Sequence, residues 1–256
     1  MTGHVHLVGA GPGAVDLLTL RAARLIEQAD IILYDALVSD DILALGPQAK
    51  KVPVGKRGGR VSMDQALINR LLVASARRHR VVVRLKGGDP MLFGRAHEEI
   101  EACVQAGIPV SIVPGISAAF GAAASLSTSL TRRGLSRSVT FVTPTVARGA
   151  TTSLAWAKAV AAADTSVIYM GRTDAGVIRD TLLDLGMAAD LPVVLAEAVS
   201  RSEAFSIKGV LGDLPSLAGQ VGEGPVLMMI GDVFAATETE VDLVPAMIKL
   251  QTAQTA

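Results

Sequence analysis

Short runs of β-branched and other apolar residues alternate with amphipathic stretches along the first half of the chain. Residues 4–8 (His-Val-His-Leu-Val), 31–34 (Ile-Ile-Leu-Tyr), 81–85 (Val-Val-Val-Arg-Leu) and 110–113 (Val-Ser-Ile-Val) have the composition of buried strands. Between the first two, Leu18, Ala22, Leu25, Ile26 and Ala29 recur at helical spacing and predict a helix over residues 16–28. Ser62-Met-Asp-Gln65 has the form of a capping box and predicts a helix to about residue 78, with a cap worth about 0.5–2 kcal/mol. Residues 96–106 read as another helix, closed by Gly107. This alternation predicts a parallel α/β domain.

A small-residue helical stretch, 118–127, stops near Thr131-Arg-Arg-Gly-Leu-Ser-Arg137, and a second set of strands begins. Strands are predicted at 139–143, 167–170, 193–196 and 226–230, a hairpin-like stretch at 204–209, and helices at about 152–163, 175–185 and 214–221. The mixture predicts two α/β domains, 1–130 with a mostly parallel sheet and 138–236 with a mixed one, followed by a frayed tail over 237–256.

Composition narrows the classes. At 256 residues and 50% hydrophobic content the chain has enough apolar material for one large or two modest cores. Cys103 is the only cysteine, so no internal disulfide can form, and the polar start carries no signal-peptide pattern. A cytoplasmic protein with no membrane span is the expectation. The 24 basic and 24 acidic residues balance, and aromatic residues are 3% of the chain, which argues against a nucleic-acid groove. Cations nevertheless cluster. Lys50, Lys51, Lys56, Arg57 and Arg60 form one group and Arg132, Arg133 and Arg137 another, both candidates for binding an anion, whereas Arg77, Arg78 and Arg80 read as a helix end.

The stretch Lys86-Gly-Gly-Asp-Pro-Met-Leu-Phe-Gly-Arg95 joins a strand to a helix, where open α/β sheets bind ligands. Gly87 and Gly88 allow close approach to the main chain and Asp89 offers a carboxylate, although a plain turn uses the same residues. The loop after the first strand imitates a dinucleotide fingerprint, with Gly9, Gly11, Ala14 in the third glycine position and Asp35 at the end of the next strand. That pattern taken alone points to a nicotinamide-dependent oxidoreductase. Pro12 opposes it by removing a backbone donor from the phosphate-binding turn. His4 and His6 alternate on one strand without an acidic or thiol partner at ligand spacing, so no metal site is expected. Neither a phosphate loop nor a nucleophile elbow is present.

One family accounts for both glycine loops together. The Lys86–Arg95 stretch resembles the most diagnostic motif of the uroporphyrinogen III C-methyltransferases, a branch of the tetrapyrrole methylases. The resemblance extends over Val8-Gly-Ala-Gly-Pro-Gly-Ala-Val-Asp-Leu-Leu-Thr-Leu-Arg21, Leu33-Tyr-Asp-Ala-Leu-Val38, Val54-Gly-Lys-Arg57, Val113-Pro-Gly-Ile-Ser-Ala118, Tyr169-Met-Gly171 and Gly231-Asp-Val233, in the family's order and spacing.

The resemblance implies a tetrapyrrole-methylase-like fold that transfers methyl groups from S-adenosylmethionine to two pyrrole rings of uroporphyrinogen III. The products are precorrin-2, for siroheme or cobalamin synthesis, and S-adenosylhomocysteine. It assigns Asp35 as proton acceptor and Lys56 as proton donor. Arg95 and Arg133 become contacts for the anionic tetrapyrrole. Pro12, Gly87, Gly88, Asp89, Leu92, Ser117, Ala118, Met170 and Val199 match the cofactor-lining positions, and relatives suggest a homodimer. The chain departs from the family's pattern on the substrate side. Ser127-Thr-Ser-Leu-Thr-Arg-Arg133 stands where relatives read Gly-Ile-Pro-Leu-Thr-His-Arg, and Thr143-Pro-Thr145 where they read Thr-Gly-His. A methylase of a related tetrapyrrole is therefore the alternative within the fold.

Overall fold

The computed structural model describes residues 2–55, 63–144 and 153–235. Its first sheet contains β1 (His4–Gly9), β2 (Ile31–Tyr34), β3 (Lys50–Pro53), β4 (Val81–Lys86) and β5 (Val110–Val113), ordered β3-β2-β4-β1-β5 with every pairing parallel. Its helices are α1 (Leu20–Gln28), α2 (Asp40–Ala44), α3 (Gln65–Ala76), α4 (Ala96–Gln105) and α5 (Ala118–Ser125). Side chains alternate across each strand, and here both faces are covered. Val8, Ile32, Val83 and Leu85 pack with Ala22 and Ile26 of α1 and with Ile42 of α2. On the other face Val5, Leu7, Leu33 and Val82 meet Ile68 and Leu72 of α3 and Cys103 of α4. Burial there, with Glu99 nearby, pushes the Cys103 thiol up to about 11.

The second sheet contains β6 (Val139–Val142), β7 (Thr165–Tyr169), β8 (Pro192–Glu197), β9 (Phe205–Val210) and β10 (Val226–Ile230) in the order β6-β7-β10-β8-β9. Only the β6–β7 pairing is parallel among these described strands, so this sheet is mixed, as expected. Helices α6 (Ala155–Ala162), α7 (Ala175–Asp184) and α8 (Leu214–Gln220) cover one face. The other receives Ala119 and Ala122 of α5, whose small side chains let the helix lie close to Val167, Val194 and Met229. That helix joins the two halves.

Both sheets fix their strand stagger with an aspartate at the amino end. Asp30, just before β2, accepts the main-chain N–H groups of Arg80 (2.8 Å) and Val81 (2.9 Å), where β4 begins. Asp164, just before β7, accepts those of Arg137 (2.8 Å) and Ser138 (2.9 Å), where β6 is about to begin. These bonds hold the Asp164 carboxyl below the usual carboxylate range.

Some expected elements differ. The first helix starts at Leu20, because Val15–Leu17 forms a separate 3-10 turn and Leu18 is extended; Thr19 caps it, its side chain accepting Ala22 N–H at 3.2 Å. The capping box before α3 does not form in the expected way: Asp64 occupies the cap position and Gln65 is the first helical residue, turned inward to Asn69 and Glu99. Ser62 lies outside the described residues. The short α2 and the strand β3 have no counterpart in the sequence reading. Lys50, Lys51 and Pro53 are unusual in a strand, yet an edge position tolerates all three. Lys51 donates to the carbonyls of Gly46 (2.7 Å) and Ala49 (3.4 Å) instead of standing free for an anion.

His4 and His6 stack on β1 with ring centroids 4.3 Å apart, and His6 Nδ1 lies 2.7 Å from Ser111 Oγ on β5. Burial and the neighbouring His4 push the His6 pKa from 6.5 down to about 4. The unfolded chain therefore binds more protons between those values, and stability should fall as pH drops through that window. Unfolding midpoints at pH 7 and pH 5 should differ, and the difference should shrink in His6→Asn. Among the described residues no helix is long and apolar enough to cross a membrane, and no group of three or more His, Cys, Asp or Glu could hold a metal ion.

Candidate active site

The carboxyl ends of β5, β1 and β4 are adjacent in the first sheet, and the loops leaving them pack backbone to backbone through glycines. Gly11 N–H donates to Gly88 O at 3.2 Å, and Gly88 N–H to Gly11 O at 2.7 Å. A Cβ built on Gly115 would lie 2.2 Å from Gly88 O and 2.8 Å from Gly9 Cα, so only glycine permits this approach. Gly88 itself has φ of +68° and no atom within 4 Å of the Cβ direction.

Two aspartates brace these loops. Asp35 Oδ2 accepts Gly87 N–H at 3.1 Å and Oδ1 accepts Leu37 N–H at 3.0 Å, tying the end of β2 to the loop after β4. Asp89 Oδ2 accepts Gly115 N–H at 2.9 Å and Oδ1 accepts Met91 N–H at 2.8 Å, tying the β4 loop to the β5 loop. Asp89 thus organises the turn. Asp89→Ala should cost about 2–3 kcal/mol of folding stability through two lost charge-assisted bonds, measured as a lower denaturant midpoint.

Above the glycine floor lies a cavity of about 410 Å³, within the range of small-molecule sites. Pro12, Gly87, Gly88, Asp89 and Leu92 line it from the first half, and Ser117 and Ala118 from the start of α5. Met170 and Val199 line it from loops of the second sheet, and Asp35 and Arg95 also reach it. Arg133 does not: it is exposed on the turn between the sheets and is not among the described lining residues. Lys56 lies outside the described residues, as do Thr145 and the tail 237–256. Ser117 Oγ is 2.6 Å from Tyr169 Oη, joining α5 to the end of β7; burial raises the Tyr169 pKa. Met170 is half-exposed at the cavity, with φ of 56°. Phe93 and Arg95 share that left-handed conformation (52° and 54°), and such strain concentrates at ligand-binding loops.

Sequence reasoning assigned no role to a buried polar cluster beside the cavity. Strand alternation points Arg84 and Lys86 from β4 toward α3 and α4, where both meet Glu99. Arg84 Nε and Lys86 Nζ each lie 3.1 Å from Glu99 Oε1, and Gln65 Nε2 lies 3.3 Å from the same oxygen. Glu99 is fully buried, and its Oε2 has no partner. Burial first, then Arg84, lowers the Lys86 pKa. The signal lay in the two-residue period of Val82, Arg84 and Lys86, but naming their partner requires knowing which helices cover that face. Arg95, by contrast, grips Glu98 through Nε (2.7 Å) and Nη2 (2.8 Å), a pair that raises the arginine pKa and lowers that of Glu98.

Among the described lining residues, Arg84, Lys86, Arg95 and Arg201 face only two carboxylates, Asp35 and Asp89. Three of these cations are already paired just behind the lining, Arg84 and Lys86 with Glu99 and Arg95 with Glu98. Fold and cavity define a two-sheet α/β protein with a small-molecule site at the carboxyl ends of parallel strands.

Residues 4–215 match the family model of the tetrapyrrole (corrin/porphyrin) methylases. A uroporphyrin III C-methyltransferase from Thermus thermophilus has a solved structure that superposes with a TM-score of 0.80 at 37% identity, covering 94% of this chain and 98% of that one. A second structure of the Thermus thermophilus enzyme, in complex with S-adenosylhomocysteine, gives a TM-score of 0.79 at 38% identity, covering 90% and 98%. The siroheme synthase of Citrobacter koseri is 46% identical over 234 residues, which are 91% of this chain and 50% of that protein. This chain spans about half the length of the siroheme synthases it matches. It belongs to the tetrapyrrole methylases.

Proposed function

We propose that this chain methylates two pyrrole-ring carbons of uroporphyrinogen III with S-adenosylmethionine, giving precorrin-2. The observation that carries the reading is the cavity itself: a glycine-backbone floor that admits a ligand closely, at the carboxyl ends of three parallel strands and walled by loops of both sheets. S-adenosylmethionine supplies a methyl group already activated on a sulfonium, so the protein's task is alignment and exclusion of water.

In this reading Pro12, Gly87, Gly88, Leu92, Ser117, Ala118, Met170 and Val199 hold the methyl donor, and Asp89 contributes through the loop it braces. Asp35 accepts a proton from the macrocycle, since each of its oxygens holds one backbone N–H and keeps a lone pair. Lys56 returns a proton. Arg95 binds a substrate carboxylate by exchanging it for Glu98, and cannot serve as a base because guanidinium stays protonated. Arg133 meets a carboxylate of the macrocycle that extends beyond the cavity.

The siroheme synthase relatives support siroheme synthesis as the destination, and cobalamin synthesis uses the same product. The reading includes a cytoplasmic homodimer without nucleic-acid or membrane partners; Cys103 buried as a free thiol supports the compartment, the balanced charge supports the lack of a nucleic-acid partner, and the dimer rests on the family resemblance. Incubation with uroporphyrinogen III and methyl-labelled S-adenosylmethionine, followed by mass spectrometry of the pigment, tests it. Two labelled methyl groups are expected. Label appearing only on another macrocycle favours the related-tetrapyrrole alternative suggested by Ser127 to Arg133, and no transfer with tight nicotinamide-nucleotide binding overturns the reading.

A further inference from the structure

The loop after β8 brings to the cavity a cation to which the reading above gives no task. Ala198 and Ser200 both have positive φ, 49° and 59°, so the chain on either side of Val199 is held in a conformation that side chains disfavour. Contacts within and across the halves hold it there. Ser200 Oγ accepts Ala14 N–H at 3.1 Å, and Arg201 N–H donates to Ala198 O at 3.0 Å. The stem of Arg201 passes over Gly13, where a Cβ would lie 2.6 Å from Arg201 Cγ. Its Nη2 donates to the Leu37 carbonyl beyond β2.

This arrangement places Arg201 among the residues that line the cavity, with guanidinium donors to spare. Arg201 Nε is buried and has no hydrogen-bond partner. Its nearest acid, Glu203, approaches Nη1 only to 3.8 Å, beyond hydrogen-bond distance, from a largely exposed position. Among the described cations lining the cavity, Arg84 and Lys86 are tied to Glu99 and Arg95 to Glu98 at 2.7–3.1 Å, whereas Arg201 has only the loose ion pair with Glu203 at 3.8 Å. A buried donor of an ion that is always charged calls for an acceptor, and a planar two-oxygen group suits the guanidinium edge.

We propose that Arg201 binds a carboxylate of a ligand in the cavity. The inference rests on the methyl-transfer reading, which offers two carboxylate sources, the amino-acid end of the methyl donor and the acidic side chains of the macrocycle. An arginine fork is not replaced by lysine at such a site. Arg201→Gln and Arg201→Lys in the full chain separate the sources by titration with three probes: S-adenosylhomocysteine, methylthioadenosine, which lacks the amino-acid end, and uroporphyrin III.

If the carboxylate comes from the donor, both variants bind S-adenosylhomocysteine at least about tenfold more weakly, the scale of one charge-assisted hydrogen bond, with methylthioadenosine and uroporphyrin unchanged. If it comes from the macrocycle, uroporphyrin is weakened by that factor and the two nucleosides are unchanged. Either result supports the proposal. Arg201→Lys keeps a cation on a stem of similar course and carries the comparison should Arg201→Gln fail to fold. Affinities for S-adenosylhomocysteine and uroporphyrin within twofold of wild type in folded variant overturn the inference alone. A wild-type chain that binds neither overturns the methyl-transfer reading together with it.

Discussion

Glu99→Ala is expected to remove about 3–5 kcal/mol of folding stability, the cost of leaving a buried charge without its partner. Two cations depend on this carboxylate, Arg84 and Lys86, and both are almost fully buried. The reciprocal change has a different expectation. Lys86→Met leaves a one-to-one pair between Arg84 and Glu99 and relieves the burial of a cation whose charged form is already disfavoured. Its stability should stay within about 1–2 kcal/mol of wild type, because an apolar replacement of similar volume offsets the lost contact. Urea unfolding of the two variants gives the comparison. Equal losses would show that Glu99 is held by packing rather than by the two positive charges.

Gly115→Ala should abolish the ligand site. The added methyl would sit 2.2 Å from Gly88 O and 2.8 Å from Gly9 Cα, and all the atoms it meets belong to backbone. No rotamer change relieves such a contact, so the loop after β5 must move away from those after β1 and β4. A displacement of about 1 Å at a reacting centre costs roughly a hundredfold in rate, and at least that loss of methyl transfer is expected. Binding of S-adenosylhomocysteine should fall with it. Gly107→Ala is the control: φ is +67° with open space beyond and the residue is not among the described cavity lining, so the expected cost is only about 1–2 kcal/mol of backbone strain. Calorimetric binding and unfolding midpoints on both variants separate a steric collapse of the floor from general loop strain.

What the sequence made legible, and what it hid, follows from the range of the interactions. The Lys86–Arg95 loop and the first glycine loop were readable because each is a local chain geometry with its own residue requirements; Ser117 and Ala118 came from the family resemblance, and the fold brings all of them to one cavity. Most strands were readable because they are buried on both faces and correspondingly apolar. β3 was hidden by its lysines and proline, which only its edge position explains. The start of α1 was misplaced because the helical spacing continues backward through Leu18, whereas Thr19 supplies the cap. Glu99 and Arg201 were out of reach for another reason. Their partners are 13 or more residues away in one case and 164 in the other, so nothing in their own sequence neighbourhoods marks them. Arg133 was placed by its basic cluster and by the family pattern, and it stands on an exposed turn away from the described lining.

The aspartates at the opposite end of the sheets carry a consequence for assembly of the chain. Asp30 fastens the start of β4 against β2, and Asp164 fastens the approach to β6 against β7. A slip of one residue would advance a strand by about 3.3 Å and turn its outward side chains inward. Lys86 would then leave Glu99, and Gly88 would no longer face Gly11. Errors made where folding begins to align the strands would thus surface at their far ends, as a misshapen floor after β4 and a displaced wall at Tyr169 and Met170 after β7, so these two carboxylates act as proofreaders of a site they never touch.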